Sequence, residues 1–127
     1  MTNAATPTSS ASVAAASVSA SAWRAGLGAS RRIVVKIGSA VLCSDAFTAR
    51  DSVFALHAAA ISALLDGGRQ VVLVSSGAVA LGRGEVDQLP NDPAPRLAKQ
   101  ALAAIGQPLL MSRWRTHFAA HGRNVAQ

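Results

Sequence analysis

Two short apolar runs, at residues 33–37 and 70–74, flank a longer segment whose apolar positions recur every three or four residues. That spacing predicts an amphipathic helix. Its stripe consists of Val53, Phe54, His57, Ile61, Leu64 and Leu65. A Thr-x-x-Asp sequence at Thr48 and Asp51 is typical of a helix start, and Gly67-Gly68 indicate its end.

The two apolar runs are predicted to be parallel strands of one sheet. The first run is almost continuously apolar, which indicates a strand buried on both faces. A strand, helix, strand unit joins parallel strands by a right-handed connection. The sequence therefore predicts an α/β fold.

The pattern after the second strand predicts further helices. In order these are a small-residue helix at 76–82, an exposed loop at 84–95, a helix at 96–105 that Gly106 ends, and a helix that starts at Gln107-Pro108 and stops at Gly122. Residues 124–127 read as the entrance to a third strand. Two strands with an exposed edge make a poor isolated domain, so we expect the first portion of a larger protein.

Residues 1–30 differ in composition from the rest of the chain. They are dominated by Ala, Ser and Thr, with Arg24 as the only charged side chain. Such a segment buries too little apolar surface to offset its ordering entropy, which predicts a disordered tail. The alternative is an organelle transit peptide, which the scarcity of arginine disfavours. Residues 31–127 then form the folded part.

Cysteine content and hydropathy bear on the compartment. Cys43 is the only cysteine, so no intrachain disulfide can form, and a buried apolar role is expected for it. No stretch approaches the roughly 18 consecutive apolar residues of a membrane span. We expect a soluble, cytoplasmic protein that does not engage a membrane.

The formal net charge of +6 raises the possibility of nucleic-acid binding. The basic residues are scattered, however, and no nucleic-acid-binding motif accompanies them. No nucleic-acid partner is predicted. No metal site is predicted either, since His117 and His121 lack the glutamate and the third ligand of a zinc helix.

Candidate chemistry lies where the two strands end. Lys36 and the turn Gly38-Ser39 follow the first strand, and Ser75-Ser76-Gly77-Ala78 follow the second. The carboxyl ends of parallel strands meet at one sheet edge, where ligands of open α/β sheets bind. A cation beside backbone N–H groups suits a phosphate or a carboxylate. The structural alternatives are a surface ion pair for Lys36 and helix capping for Ser76.

Three segments resemble the N-terminal part of the glutamate 5-kinase family, within the amino acid kinase superfamily. They are Val-Val-Lys-Ile-Gly-Ser at 34–39, Val-Ser-Ser-Gly-Ala-Val-Ala-Leu-Gly at 74–82, and Lys-Gln-Ala-Leu-Ala-Ala-Ile-Gly-Gln at 99–107. The third segment is the most discriminating. The resemblance covers residues 31–127 and implies a three-layer αβα parallel-sheet fold, truncated here after two strands and their helices.

The resemblance also implies an activity and roles for residues. The activity is transfer of the γ-phosphoryl group of ATP to the side-chain carboxylate of L-glutamate, with Mg²⁺, as the first step toward proline. Lys36 would be catalytic and, with Gly38 and Ser39, would contact the ATP phosphates. Ser76, Gly77 and Ala78 would bind glutamate. Lys99 and Gln100 would have supporting roles, and the full-length family implies a homo-oligomer.

The family continues well beyond this length, and its ATP-binding half has no counterpart in residues 1–127. We therefore expect the isolated chain to lack kinase activity. Two alternatives stay open. One is a non-catalytic remnant that binds an anion weakly or self-associates, and the other is a kinase of another superfamily branch.

Overall fold

The computed structural model describes residues 19–86 and 95–127. Within these ranges the elements follow one another as α1 (Ala20–Ala29), β1 (Arg32–Ile37), α2 (Ser39–Leu42), α3 (Asp51–Asp66), β2 (Gln70–Ser75), α4 (Ala78–Gly84) and α5 (Pro95–Ala119). The α/β class and the strand, helix, strand unit predicted from the sequence are confirmed. No helix in these ranges combines the length and the apolar character needed to cross a membrane.

β1 and β2 pair in parallel, from Arg32 opposite Gln70 to Ile37 opposite Ser75. Side chains of a strand alternate between the two sheet faces. Ile37 is buried on the face that carries the helices, whereas Val34 and Val72 on the other face are 66% and 53% exposed. The prediction that the first strand is buried on both faces is wrong for the described residues, since their helices pack on one face only.

The core lies between this covered face and helices α3 and α5. Trp114, Phe54 and Leu42 are its largest fully buried side chains. The rings of Phe54 and Trp114 are tilted against each other, with centroids 4.6 Å apart. Aromatic pairs prefer tilted arrangements at this distance. Cys43 is buried in the same cluster, as predicted. Burial raises the pKa of its thiol, despite the opposing charge of Arg50.

Two ion pairs link α3 to the C-terminal part of the chain. Arg113 on α5 donates to both carboxylate oxygens of Asp51, at 2.7 and 2.6 Å. Arg123, beyond the end of α5, donates to Asp66. Since Asp51 and Asp66 are the first and last residues of α3, the two pairs anchor both ends of this helix.

The start of α3 differs from its prediction. The N-cap is Arg50, without a side-chain capping bond, and Thr48 instead donates its hydroxyl to the carbonyl of Ala46 at 3.4 Å. Thr48 is drawn into a turn, because the neighbouring Ala49 forms an antiparallel bridge with Cys43. The predicted glycine end is confirmed, since Gly67 caps α3 and Gly68 has a φ of +75°.

α5 is one continuous helix of 25 residues that contains Pro108. The prediction that Gly106 ends a first helix and that Gln107-Pro108 start a second is wrong. Pro108 lacks the N–H that a helical residue donates four positions back, yet the helix runs through it, supported by its packing on the core. α5 ends at Ala119 and is followed by a turn that contains Gly122, whose φ is +66°. The predicted helix end at Gly122 is therefore confirmed. Residues 124–127 carry no strand.

The predicted disordered tail is described only from Ser19 onward, and residues 1–18 lie outside the described residues. Residues 20–29 form helix α1, which differs from the prediction. The Ser19 hydroxyl accepts a hydrogen bond from the Ala22 N–H at 3.3 Å, and the alanine content favours helix. Trp23 and Leu27 on α1 are exposed.

Candidate active site at the strand ends

Both predicted turns leave the sheet at the same edge. The last pair of the ladder is Ile37 opposite Ser75, and the Ser76 N–H continues it by donating to the Ile37 carbonyl at 3.0 Å. Gly38 and Ser76 therefore follow adjacent strand ends. The prediction that the two turns meet is confirmed.

The turn after β1 leads directly into the short helix α2. Gly38 is the residue before this helix, with extended backbone angles, and its carbonyl accepts from the N–H of Val41 at 3.1 Å. A Cβ placed on Gly38 would meet no atom within 4 Å. The space above this turn is therefore open to a ligand that approaches the backbone.

The turn after β2 is held in place by a hydrogen bond from the core. The Ser75 hydroxyl accepts a hydrogen bond from the indole N–H of Trp114 at 2.9 Å and donates to the Ser76 carbonyl at 3.2 Å. Gly77 follows with a φ of +121°, which disfavours any residue with a Cβ. Ser75 belongs to the predicted turn, and its hydroxyl supplies the acceptor that the buried indole N–H requires.

A cavity of about 700 Å³ opens beside this turn, between α4 and α5. Its walls are formed by Ser39, Phe47, Ser75, Ser76, Gly77, Ala78, Val79, Ala80, Arg83, Ala98, Lys99 and Leu102. The structure thus brings together Ser39 with the predicted glutamate-binding residues 76–78. Lys99, predicted to have a supporting role, lines the same cavity.

Lys36 lies apart from this cavity. It precedes the buried Ile37, so it lies on the open face of the sheet, opposite Val74 in the ladder. Its side chain is exposed. Lys36 and Ser76 therefore lie near one sheet edge without sharing one pocket, and Gly38 likewise does not line the cavity.

Two residues that sequence reasoning missed complete the walls. Arg83 is half-buried and donates from Nη1 to the Val86 carbonyl at 3.1 Å. Phe47 also lines the cavity and has a φ of +58°, a conformation that costs a non-glycine residue about 1 kcal/mol or more. Val79 and Ala80 lie four and three residues before Arg83 on α4, and this helical spacing is the signal that could have found Arg83.

The helix that follows Ser76 is short. α4 runs for only seven residues, so a helix dipole contributes little to anion binding there. The charge of the cavity comes from side chains. Of the described residues that line it, the charged ones are Arg83 and Lys99, and both are cations. The cavity therefore favours an anionic ligand.

The sequence was also compared with known protein families and with known proteins. The amino acid kinase family matches residues 31–127. Proteins named glutamate 5-kinase are similar to this chain, among them one from Thermus thermophilus, 48% identical over 104 residues, and one from Pelobacter propionicus, 46% identical over 97 residues. The match covers 82% and 76% of this chain.

The match covers a much smaller share of the relatives themselves. It spans 27% of the Thermus thermophilus protein, 26% of the Pelobacter propionicus protein and 24% of a Xylella fastidiosa glutamate 5-kinase that is 45% identical over 98 residues. The chain therefore spans about a quarter of the length of the curated relatives it matches. With the family match over residues 31–127 and the strand-end geometry described above, the chain belongs to the amino acid kinase family.

Proposed function

We propose that this protein takes part in the ATP-dependent phosphorylation of the side-chain carboxylate of L-glutamate, which yields glutamyl 5-phosphate, the first step toward proline. The observation that carries the proposal is the cavity at the strand ends, where Ser39 and residues 76–78 share one cationic pocket. The similarity to proteins named glutamate 5-kinase supports this choice of substrate.

Each predicted residue has a role in this proposal. Lys36 contacts the ATP phosphates and stabilises charge on the transferred group, and the N–H groups of Gly38 and Ser39 approach the phosphate oxygens. Ser76, Gly77 and Ala78 hold the glutamate. Phosphoryl transfer depends mainly on positioning and on neutralising charge, which a cation and backbone donors at one sheet edge can supply.

Mg²⁺ is the metal that this reaction implies. Mg²⁺ prefers carboxylate, phosphate and water oxygens, whereas the described residues that line the cavity offer hydroxyl groups and cations and no carboxylate. These residues do not fit a protein-held Mg²⁺. We assign no Mg²⁺ ligand to the described residues.

The substrate can be tested on the 127-residue chain by nuclear magnetic resonance. L-glutamate should shift the backbone amide signals of residues 76–78 in a saturable manner, and Ser76→Ala should weaken the binding several-fold. Ser52→Ala, on the exposed side of α3, is the matched control. Shifts that are absent, or equal with L-aspartate, would argue against glutamate as the substrate.

Catalysis can be tested in a chimera. Residues 31–127 of this chain would replace the matching segment of the Thermus thermophilus relative, and the product would be trapped as a hydroxamate. We expect ATP-dependent turnover, which Lys36→Ala lowers by a factor on the order of 10² or more. A chimera that folds and turns over unchanged with Lys36→Ala would refute the role of Lys36.

A further inference from the structure

We propose that Arg83 and Lys99 form one anion-recognition subsite inside the strand-end cavity and that this subsite binds the α-carboxylate of a dicarboxylic amino acid. The assignment of the α-carboxylate rests on the proposed function. The existence of an anion subsite does not, and the experiment below separates the two.

The placement of charge in the cavity supports an anion subsite. Arg83 lies on α4 and Lys99 on α5, and both line the cavity that contains Ser76. Two cations from facing helices around one cavity attract an anion and repel a cationic ligand. Arg83 uses Nη1 to contact the Val86 carbonyl at 3.1 Å. A guanidinium group has five N–H donors, so others remain for a carboxylate.

The two cations lie on a rigid part of the fold, because the crossing of α4 and α5 lies directly beside them. A Cβ on Gly82 would lie 2.0 Å from the carbonyl oxygen of Leu102, and one on Gly106 would lie 1.8 Å from that of Ala78. The helix backbones are therefore in direct contact. Gly82 is adjacent to Arg83 in sequence, and Leu102 lies one helical turn from Lys99. Their backbones are held at a fixed separation, which lowers the cost of ordering them around a ligand.

The groups that line the cavity also suit a ligand with two anionic ends. Ser39 and Ser76 lie at the sheet edge, where the phosphoryl group would be transferred. The remaining walls of the cavity include the apolar side chains of Val79, Ala98 and Leu102. A ligand with two anionic ends joined by a short aliphatic chain suits this combination of groups. In L-glutamate, the side-chain carboxylate would lie at the edge and the α-carboxylate at Arg83 and Lys99.

The test compares L-glutamate with its α-amide, which lacks only the charge of the α-carboxylate. Both would be titrated into the isotope-labelled 127-residue chain, with affinities taken from amide shifts. We expect L-glutamate to bind about ten-fold more tightly than the α-amide, as for loss of one charged hydrogen-bonding partner in a solvated site. In Arg83→Gln and Lys99→Gln this preference should shrink to about two-fold or less.

Arg115→Gln is the matched control, because Arg115 is an exposed cation on the same helix as Lys99 and does not line this cavity. It should keep the full preference. Circular dichroism would verify that each variant is folded. Variants at 83 and 99 that keep the wild-type preference would overturn the subsite.

Glutarate and inorganic phosphate separate the subsite from the proposed function. If L-glutamate does not bind the wild-type chain but either anion does, and if both variants lose that binding, the subsite is supported and glutamate is refuted as the ligand. If glutamate binds and the variants bind it as well as the wild type does, the proposed function survives and the subsite is overturned. If none of these anions binds the wild-type chain, the subsite is overturned.

Discussion

The glycines of the three family-like segments are required for different physical reasons. Gly77 has a φ of +121°, so its backbone conformation excludes most other residues. Gly82 and Gly106 have no room for a Cβ. Gly38 has an ordinary φ of −80° and open space around it, so neither its conformation nor its packing requires glycine. Close approach of a ligand is the reason that remains.

This difference predicts opposite outcomes for two alanine substitutions at the site. Gly38→Ala should leave the free energy of unfolding unchanged or raise it by up to about 1 kcal/mol, because alanine restricts the unfolded chain. Gly77→Ala should lower it by about 1–3 kcal/mol, since alanine is strained at that φ. Urea denaturation measures both. A loss of more than about 1 kcal/mol in Gly38→Ala would mean that the fold does require glycine there.

Gly38→Ala should also affect ligand binding while the fold stays intact. The added methyl group would stand where a phosphate would approach the N–H groups of Gly38 and Ser39. We expect weaker binding of ATP to the chimera with the Thermus thermophilus relative, measured from amide shifts at residues 36–39. Binding of ATP that is unchanged in a folded Gly38→Ala variant would remove Gly38 from the proposed phosphate site.

At the level of elements, the crossing of α4 and α5 is the most restrictive contact. The position of a Cβ on Gly82 or Gly106 coincides with backbone atoms of the other helix, which cannot move away as a flexible side chain could. Gly82→Ala and Gly106→Ala should each lower the free energy of unfolding by about 2–4 kcal/mol, through overpacking.

Gly26→Ala is the matched control for this prediction. Gly26 is also inside a helix, α1, and a Cβ there meets nothing within 4 Å. Alanine should be neutral or slightly stabilising at that position. Urea denaturation of the three variants tests the contrast, and equal stability of all three would show that the two helices do not touch at their glycines.

The link between α3 and α5 predicts a pH dependence. Hydrogen bonding from Arg113, aided by His117, holds the pKa of Asp51 below its usual value. A carboxylate with a lowered folded-state pKa stabilises the fold above its unfolded pKa, near 3.8, and this contribution is lost as the pH falls through the folded pKa. Since the Asp51 side chain is 54% exposed, solvent limits the contribution to about 1 kcal/mol or less.

Asp51→Asn should therefore destabilise the chain slightly at pH 7 and flatten its loss of stability as the pH falls below the unfolded-state pKa near 3.8. Asp45→Asn, at an exposed loop position, should leave that part of the profile unchanged. Urea midpoints at several pH values provide the measurement. If the urea midpoint of Asp51→Asn falls with decreasing pH as steeply as that of the wild type, other carboxylates cause the acid sensitivity.

The elements that sequence predicted well are those with a local signal. The periodicity of Phe54 and Ile61 set the buried face of α3, and the β-branched runs set both strands. Where tertiary contacts decide, local reasoning failed. Gly106 is typical of a helix end, yet α5 runs through it. A glycine is required there because α4 packs where a side chain would lie. Thr48 reads as a cap, yet the bridge at Ala49 takes it into a turn.

The site divides in the same way. Parallel strands bring Ser39 and Ser76 to one edge by topology alone, so sequence reasoning reached them. Arg83 lies on the face of α4 that carries Val79 and Ala80, and helical spacing alone does not tell which face of a short helix lines a cavity. Lys36 was expected with the other site residues, but strand alternation places it on the open face.

At the scale of the whole molecule, the open face of the sheet is the dominant unpaired feature of the described residues. It presents Val34, Val72 and Val74, which are 66%, 53% and 45% exposed. The family's three-layer fold places a second layer of helices on such a face, and the chain spans about a quarter of its relatives' length. An exposed apolar sheet face with free edges is prone to association.

We therefore expect the 127-residue chain to self-associate through this face in a concentration-dependent manner, which sedimentation velocity would detect. Val72→Thr should reduce the association, because it replaces an exposed methyl group with a hydroxyl and keeps a β-branched shape. Its neighbour Val71 packs against the core on the covered face, so Val71→Thr should instead lower the stability, by about 1–3 kcal/mol, and should not relieve association. A wild-type chain that stays monomeric at high concentration, or a Val72→Thr variant that associates as strongly as the wild type, would show that the open face does not drive association.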